Sequence, residues 1–114
     1  MEPSDKLHLE NILSFCDDIN SAIDELSIDY DAFYESTAKR GALAFFVMQI
    51  GEEAGKLSKT FRESQTEMDW PAITNFRNHI AHGYIGVIPD VLWDTVQSDI
   101  PELRDFCAKQ IGKN

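Results

Sequence analysis

The spacing of apolar residues restricts most of this chain to amphipathic helices. In a first stripe, apolar residues recur at alternating intervals of three and four positions: Leu9, Ile12, Cys16, Ile19, Ile23 and Leu26. A second stripe follows the same rule: Leu43, Val47, Ile50, Ala54, Leu57 and Phe61. This alternation gives each helix one narrow apolar seam, which is typical of long helices packed nearly antiparallel in a bundle. A polar stretch at residues 27–31 separates the two helices, and Asp31 is predicted to cap a short helical entry into the second.

A third helix is predicted to begin at Asp69, because aspartate is a favoured N-cap and Pro71 is tolerated in a first helical turn. Its apolar stripe is Ile73, Phe76 and Ile80. Gly83 is suited to end this helix, since glycine readily adopts the left-handed conformation found after many helix C-termini.

A fourth helix is predicted to begin near Asp90 and to carry Leu92, Val96 and Ile100. Pro101 should kink or restart it, because proline lacks a backbone donor and disfavours helix at the residue before it. Its apolar face continues through Leu103, Phe106, Cys107 and Ile111. No segment shows a convincing strand pattern. The sequence therefore predicts an all-α, antiparallel bundle of four to five helices that forms one domain over residues 1–114.

Composition excludes several other classes of protein. The chain begins without a basic or apolar stretch, and its longest nearly apolar run, Gly41 to Met48, is far too short to span a bilayer. The two cysteines, Cys16 and Cys107, are too few for a disulfide framework and fall on apolar stripes, so we expect buried free thiols. We expect a cytoplasmic protein without a membrane segment.

Glycines 41, 51 and 55 lie inside the predicted second helix, where each costs about 1 kcal/mol relative to alanine. Gly51 and Gly55 are one turn apart and would form a flat patch. Two interpretations stay open: tight packing against another helix, or room for a functional crevice beside Glu52.

The segment from Arg77 to Tyr84 concentrates the chemically active side chains: Arg77, Asn78, His79, His82 and Tyr84. Asn78 and His82 are four positions apart and share a helix face. Arg77 and His82 are five apart, so they converge only if the arginine side chain wraps around the helix or the helix ends at His82. Gly83 supplies that ending and leaves Tyr84 in a loop.

Arginine suits bidentate contact with a phosphate, and histidine exchanges protons near neutral pH. Together Arg77 and His82 suffice for metal-independent RNA cleavage, in which a base deprotonates the 2′-hydroxyl and arginine offsets charge on phosphorus. A two-fold dimer would supply a second histidine for the leaving oxygen. The alternative is that both residues are surface cations at a helix C-terminus.

The segment resembles the Arg-Asn-x-x-x-His-x-Tyr signature of the HepT-like branch of the HEPN superfamily. Further blocks are similar to that family in the same order: residues 49–54, 57–58, 69–73, 93–96 and 99–103. The resemblance covers residues 5–112 and implies a homodimeric all-α ribonuclease toxin of a type II toxin–antitoxin pair.

The resemblance also implies roles for individual residues. Arg77 and His82 would act at a cleft between protomers on an RNA substrate, for which tRNA is a family analogy. Asn78 would orient His82 or the phosphate, and Glu52 would support the site structurally or catalytically. The partner would be a minimal, MntA-like nucleotidyltransferase antitoxin that transfers AMP from ATP onto Tyr84.

Some features depart from that family pattern. The segment Ala44 to Phe46 is more apolar than in many relatives, and no family role carries over to His79. His79 and His82 form a His-x-x-His pair, but two ligands do not make a metal site, so we expect neither metal nor cofactor. A second reading, from another class, is a noncatalytic helical partner of a nucleotidyltransferase.

The net charge of −10 argues against broad neutralisation of RNA phosphates. Its distribution weakens that objection. Residues 1–37 hold ten acids and one base, residues 38–82 five acids and six bases, and residues 83–114 five acids and three bases. The motif region is therefore close to neutral. We expect selective, salt-sensitive binding of RNA at a small cleft instead of broad backbone binding, and an acidic flank that a basic partner could recognise.

Overall fold

The computed structural model describes residues 1–76 and 89–112, and all regular secondary structure in those ranges is helical. The helices are α1 (Pro3–Glu25), α2 (Tyr30–Glu35), α3 (Thr37–Gly55), α4 (Lys59–Ser64), α5 (Trp70–Thr74), α6 (Pro89–Asp94) and α7 (Ile100–Gly112), with a π-helical turn at Thr95–Asp99 between the last two. The predicted all-α fold class is confirmed.

Helix α1 packs between α3 and α7 and runs antiparallel to both. Near its start, His8 Nδ1 lies 2.7 Å from Glu53 Oε2 at the end of α3. In its second half, Asp17 Oδ1 accepts a hydrogen bond of 2.7 Å from Arg104 Nε near the start of α7. At the opposite end of α7, Gln110 lines a cavity together with Asp5. The bundle is therefore organised around α1.

The two predicted apolar seams form the centre of the core. Every member of the second seam is buried, and so are the first four members of the first seam: Leu9, Ile12, Cys16 and Ile19. The first seam ends earlier than predicted, because α1 ends at Glu25 and Leu26 is 44% exposed.

The second predicted helix is interrupted, which corrects the expectation of one helix through Phe61. Helix α3 ends at Gly55, and Ser58 is the N-cap of α4, where its Oγ accepts the N–H of Phe61 at 3.1 Å. Asp5 holds Ser58 in place, since its carboxylate accepts the backbone N–H and the hydroxyl of Ser58, both at 2.7 Å. Leu57 and Phe61 are nevertheless buried in the core, on the two sides of this break.

The sequence predicted Asp31 as the N-cap of α2, but the structure shows Asp29 in that position. Asp29 has an extended backbone and its Oδ1 accepts the N–H of Ala32 at 2.8 Å, whereas Asp31 lies within the first helical turn. A capping residue must precede the helix to reach its free N–H groups.

The helix predicted to begin at Asp69 is interrupted at Asn75, which forms a turn, and Phe76 is helical again. Asp69 caps α5 as expected, through its Oδ1 and the N–H of Ala72 at 3.1 Å, but α5 ends at Thr74. The remaining members of this predicted helix, Ile80 and Gly83, lie outside the described residues.

The predicted interruption at Pro101 is confirmed. In the π-helical turn before it, the N–H of Ile100 bonds to the carbonyl of Thr95, five residues back. Proline cannot donate to the carbonyl four residues before it, so the chain takes up one extra residue per turn at this point.

Three further expectations can be compared with the described residues. Cys16 and Cys107 are buried free thiols, as predicted. Among the described residues, an added Cβ at Gly55 would meet no atom within 4 Å, so Gly55 does not pack tightly against a described helix. Among the described helices, none is long and apolar enough to cross a membrane.

Candidate functional site

Only one of the residues with a predicted role at the site lies within the described ranges. Arg77, Asn78, His79, His82 and Tyr84 lie outside them, so their predicted roles remain predictions. Glu52 lies within them, on α3 and half-buried. What can be described of the site is therefore Glu52 and the two elements that carry the chain into and out of residues 77–88.

The element that leads into the motif, α5, is anchored firmly in the core. The Trp70 side chain is buried, its Nε1 donates to the carbonyl of Gln65 at 2.8 Å, and its ring centroid lies 5.6 Å from that of Phe106. Ile73 on the same helix is buried as well. The chain therefore enters the motif from a fixed position, four residues before Arg77.

The element that leads out of the motif, α6, is anchored by a different set of rings. Leu92 is buried, and the Trp93 ring packs against Phe33 of α2 with centroids 5.1 Å apart. The Tyr30 hydroxyl donates a hydrogen bond to Asp90 at the start of α6. Contacts with α2 thus fix α6, the first described element after residues 77–88.

Glu52 lies in the last turns of α3, next to a residue that forms two ion pairs. Its neighbour Glu53 pairs with His8 at 2.7 Å and with Lys56 at 3.8 Å, and α5 packs against α3. Glu52 and the entry to the motif therefore belong to one packed unit, which is compatible with a supporting role near the site.

A groove of about 330 Å³ lies beside Phe76, the residue that precedes Arg77. Ile73 and Leu103 contribute apolar surface to it. Four carboxylate side chains also line it: Glu67, Asp69, Asp99 and Glu102. These carboxylates give the described lining of the groove a negative charge, which disfavours phosphate there. Within residues 1–76 and 89–112, no group of three or more His, Cys, Asp or Glu side chains is arranged to hold a metal ion.

Sequence reasoning missed the role of Arg40 in the first turn of α3. Its guanidinium donates to the carbonyl of Phe33 at 3.0 Å, to the carbonyl of Tyr34 and to Thr37 Oγ1 at 3.2 Å. It thereby satisfies carbonyls at the C-terminus of α2, where a cation is favourable. A cation placed a few residues after a short predicted helix is the signal that could have identified it.

Two cysteines in the core are chemically quiet. Burial raises the pKa of both Cys16 and Cys107 to about 12, and the negative charge of Asp17 adds to the effect at Cys16. A thiol at such a pKa is protonated at neutral pH and is a poor nucleophile, so neither cysteine belongs to a reactive site.

Comparison with known proteins identifies the family. The family described as "Ribonuclease HepT-like" matches residues 9–110. "Putative RNase TTE0752" of Caldanaerobacter subterraneus subsp. tengcongensis is 30% identical over 97 residues, covering 85% of each chain. "Putative RNase MJ0125" of Methanocaldococcus jannaschii is 30% identical over 106 residues, covering 93% of this chain and 90% of the relative.

A shorter match supports the same assignment. "Probable ribonuclease HepT" of Thermococcus cleftensis is 36% identical over 55 residues, which is 48% of this chain and 50% of the relative. No solved structure matches this chain. The family match spans the anchored helices α5 and α6 and the motif segment between them. The chain therefore belongs to the HepT-like ribonuclease family.

Proposed function

We propose that this chain is a metal-independent ribonuclease and the toxin of a type II toxin–antitoxin pair. The observation that carries the proposal is the family match over residues 9–110, which includes the motif from Arg77 to Tyr84. The relatives that match along most of their length are named as RNases, which supports RNA as the substrate class. tRNA is the substrate that family analogy puts forward.

Cleavage of a phosphodiester needs a base for the 2′-hydroxyl, a proton for the leaving 5′-oxygen, and a cation for the charge on phosphorus. His82 takes the proton of the 2′-hydroxyl, and the 2′-oxygen attacks the adjacent phosphorus. The bond to the 5′-oxygen breaks, and that oxygen takes up a proton as it leaves, which gives a 2′,3′-cyclic phosphate and a free 5′-hydroxyl. Arg77 stabilises the negative charge on the phosphoryl oxygens. Asn78 orients His82 or the phosphate, and Glu52 supports the site from α3.

A homodimer completes this proposal. One His82 per chain cannot both accept the first proton and donate the second within a single event. Two copies related by a two-fold axis would bring a second His82 and a second Arg77 into one cleft. The cleft would then hold two cations beside the scissile phosphate.

Tyr84 is the proposed site of inactivation. An MntA-like nucleotidyltransferase would transfer AMP from ATP onto its hydroxyl, which releases pyrophosphate and forms a phosphodiester on the tyrosine. The added group carries negative charge two residues from His82, where the RNA phosphate would bind. Modification would therefore exclude the substrate.

The catalytic assignment is tested with purified protein, labelled RNA and EDTA in every reaction. We expect His82→Ala to lower the cleavage rate by about 10²–10⁴-fold, the usual range for a general base. His79→Ala is the matched control, because it removes the same side chain three positions away and should cleave as the native chain does. Equal rates for all three proteins would refute the role of His82.

The partner assignment is tested by co-expression with the nucleotidyltransferase MntA of a HepT/MntA pair, followed by mass measurement of the intact chain. We expect the mass to rise by whole AMP units in the native chain and in Tyr34→Phe, but not in Tyr84→Phe. A Tyr84→Phe chain that gains the same mass would place the modification elsewhere.

A noncatalytic role as a regulatory subunit of a nucleotidyltransferase is the second candidate. The acidic groove beside Phe76 and the ten acids in residues 1–37 favour it, because both disfavour RNA. The EDTA cleavage assay separates the two, since a regulatory subunit would leave RNA intact with or without His82.

A further inference from the structure

Two exposed tyrosine rings of α2 and the half-buried Trp93 ring of α6 lie in contact between these helices. The rings of Tyr30 and Tyr34 stack with centroids 6.2 Å apart and planes inclined by 26°. The Trp93 ring meets Tyr30 edge-on at 5.9 Å. Tyr30 is 40% exposed and Tyr34 is 56% exposed. We call Tyr30, Tyr34 and Trp93 the α2–α6 aromatic surface.

This surface is held in place before any partner arrives. The Tyr30 hydroxyl donates to Asp90, and the Trp93 ring rests on the buried ring of Phe33. The helix that carries both tyrosines is capped by Asp29 at one end and by Arg40 at the other. Little conformational entropy is therefore lost when a partner binds to the α2–α6 aromatic surface. Tyrosine and tryptophan rings commonly contribute most of the binding energy of protein interfaces.

The rim of the surface is acidic. Five exposed carboxylates lie on or beside its two helices: Asp29, Asp31, Glu35, Asp90 and Asp94. Their field reaches the rings, since the hydrogen bond to Asp90 raises the pKa of Tyr30 and the charges of Asp90 and Asp31 add to it. The guanidinium of Arg40, a described cation beside α2, already donates hydrogen bonds to carbonyls of that helix.

The charge of the rim discriminates between occupants. RNA would bring phosphates against the carboxylates and be repelled. A second copy of the chain in a two-fold contact would set one acidic rim against another. A basic protein segment would pair with the rim and place guanidinium or ammonium groups on the ring faces, where cation–π attraction adds to the contact.

We propose that the α2–α6 aromatic surface docks a basic segment of a partner protein. The segment carries arginine or lysine side chains that pair with the rim carboxylates and stack on Tyr30 and Tyr34. The proposal rests on residues of α2 and α6 and does not depend on RNA cleavage by the motif. Asp29, Asp31 and Glu35 of the rim belong to the acidic flank that the sequence shows in residues 1–37.

The direct test uses tryptophan fluorescence of the full chain. The chain has two tryptophans, and Trp70 is only 4% exposed, so a ligand at the surface reports through Trp93. The probe is a 15-residue amphipathic helical peptide of arginine and leucine, with a matched peptide in which glutamate replaces every arginine. We expect a saturable change with the arginine peptide, weaker at high salt, and none with the glutamate peptide. Absence of saturable binding by the arginine peptide would overturn the proposal.

Variants locate the binding. We expect Tyr34→Ser to weaken the arginine peptide about tenfold, as for an interface residue worth a little over 1 kcal/mol. The charge reversal Asp31→Lys with Glu35→Lys should weaken it at least as much. The matched control is Glu10→Lys with Asp18→Lys, which makes the same charge change at exposed positions of α1 and should bind like the native chain. Circular dichroism of each variant checks that the fold is retained.

Three results would overturn the assignment. Equal weakening by the control pair would mean that the peptide senses only net charge. Dissociation of a homodimer by Tyr34→Ser, seen by sedimentation, would assign the surface to contacts between copies. Loss of binding to an oligouridine probe in Tyr34→Ser would assign it to RNA.

Discussion

The carboxylate of Asp5 accepts two hydrogen bonds from Ser58, one from its backbone N–H and one from its hydroxyl, each 2.7 Å long. The two residues are 53 positions apart, so this contact ties the start of α1 to the connection between α3 and α4. Asp5 is completely buried, and the N–H of Glu2 bonds to its second oxygen at 3.2 Å. A charged group is tolerated there because three donors surround it.

Removal of the Ser58 hydroxyl should therefore destabilise the fold. We expect Ser58→Ala to lower the free energy of unfolding by about 1–3 kcal/mol, because a buried carboxylate oxygen loses a donor and α4 loses its cap. Urea denaturation followed by circular dichroism measures the change. Ser14→Ala, at an exposed position of α1, is the control and should change stability by less than about 0.5 kcal/mol. Equal effects of the two substitutions would contradict the role of Ser58.

The same carboxylate predicts a loss of stability in acid. Burial alone would raise the pKa of Asp5, but the hydrogen bonds from Ser58 and Glu2 outweigh it and hold the pKa below its usual 3.8. The folded state therefore binds this proton less tightly than the unfolded state does. The resulting stabilisation is complete above the unfolded pKa and is lost as the pH falls through the lower folded pKa. Stability measured from pH 5 down to pH 2 should fall less steeply in Asp5→Asn than in the native chain, and parallel curves would refute the assignment.

The Asp5–Ser58 contact also shows what sequence reasoning could and could not find. The seams of α1 and α3 follow from spacing alone, because a buried helix face imposes its period on the residues that fill it. The contact of Ser58 with Asp5 does not, since its two residues are 53 positions apart and spacing within one helix carries no information on such a pair. Likewise, the residue types of the motif from Arg77 to Tyr84 indicate a chemical role from sequence alone. The α2–α6 aromatic surface cannot be predicted in this way, because only the fold brings Trp93 beside Tyr30.

Both thiols should resist modification in the folded protein. With pKa values of about 12 and no exposed surface, Cys16 and Cys107 offer almost no thiolate at pH 8. We expect an aromatic disulfide reagent to react with neither thiol in buffer and with both in concentrated urea. Rapid reaction of either thiol in buffer would show that α1 and α7 separate readily.

Trp93 should control the local stability of α6 and thereby the exit from the motif segment. Its ring contacts Phe33 and Tyr30, so Trp93→Ala is expected to cost about 2–3 kcal/mol, somewhat less than truncation of a fully buried tryptophan. Hydrogen exchange should show faster opening of α6 while the centre of α1 stays protected. Val91→Ala is the control, since Val91 is 60% exposed and its truncation should leave exchange unchanged. Uniform acceleration in α1 and α6 would mean that Trp93 supports the whole bundle instead.

RNA cleavage should be salt-sensitive with a shallow slope, if the proposed site is a small cleft between two protomers. Each neutralised phosphate of a single strand contributes about −0.7 to the slope of log affinity against log salt, so two copies of Arg77 predict about −1.4. The acidic groove beside Phe76 and the carboxylates of residues 1–37 offer no further cations to steepen it. The measurement is KM for a short labelled RNA between low and moderate salt. Arg104→Gln, which alters an arginine that pairs with Asp17, should leave the slope unchanged. A slope of about −4 or steeper would require some six phosphate contacts and would contradict a small cleft.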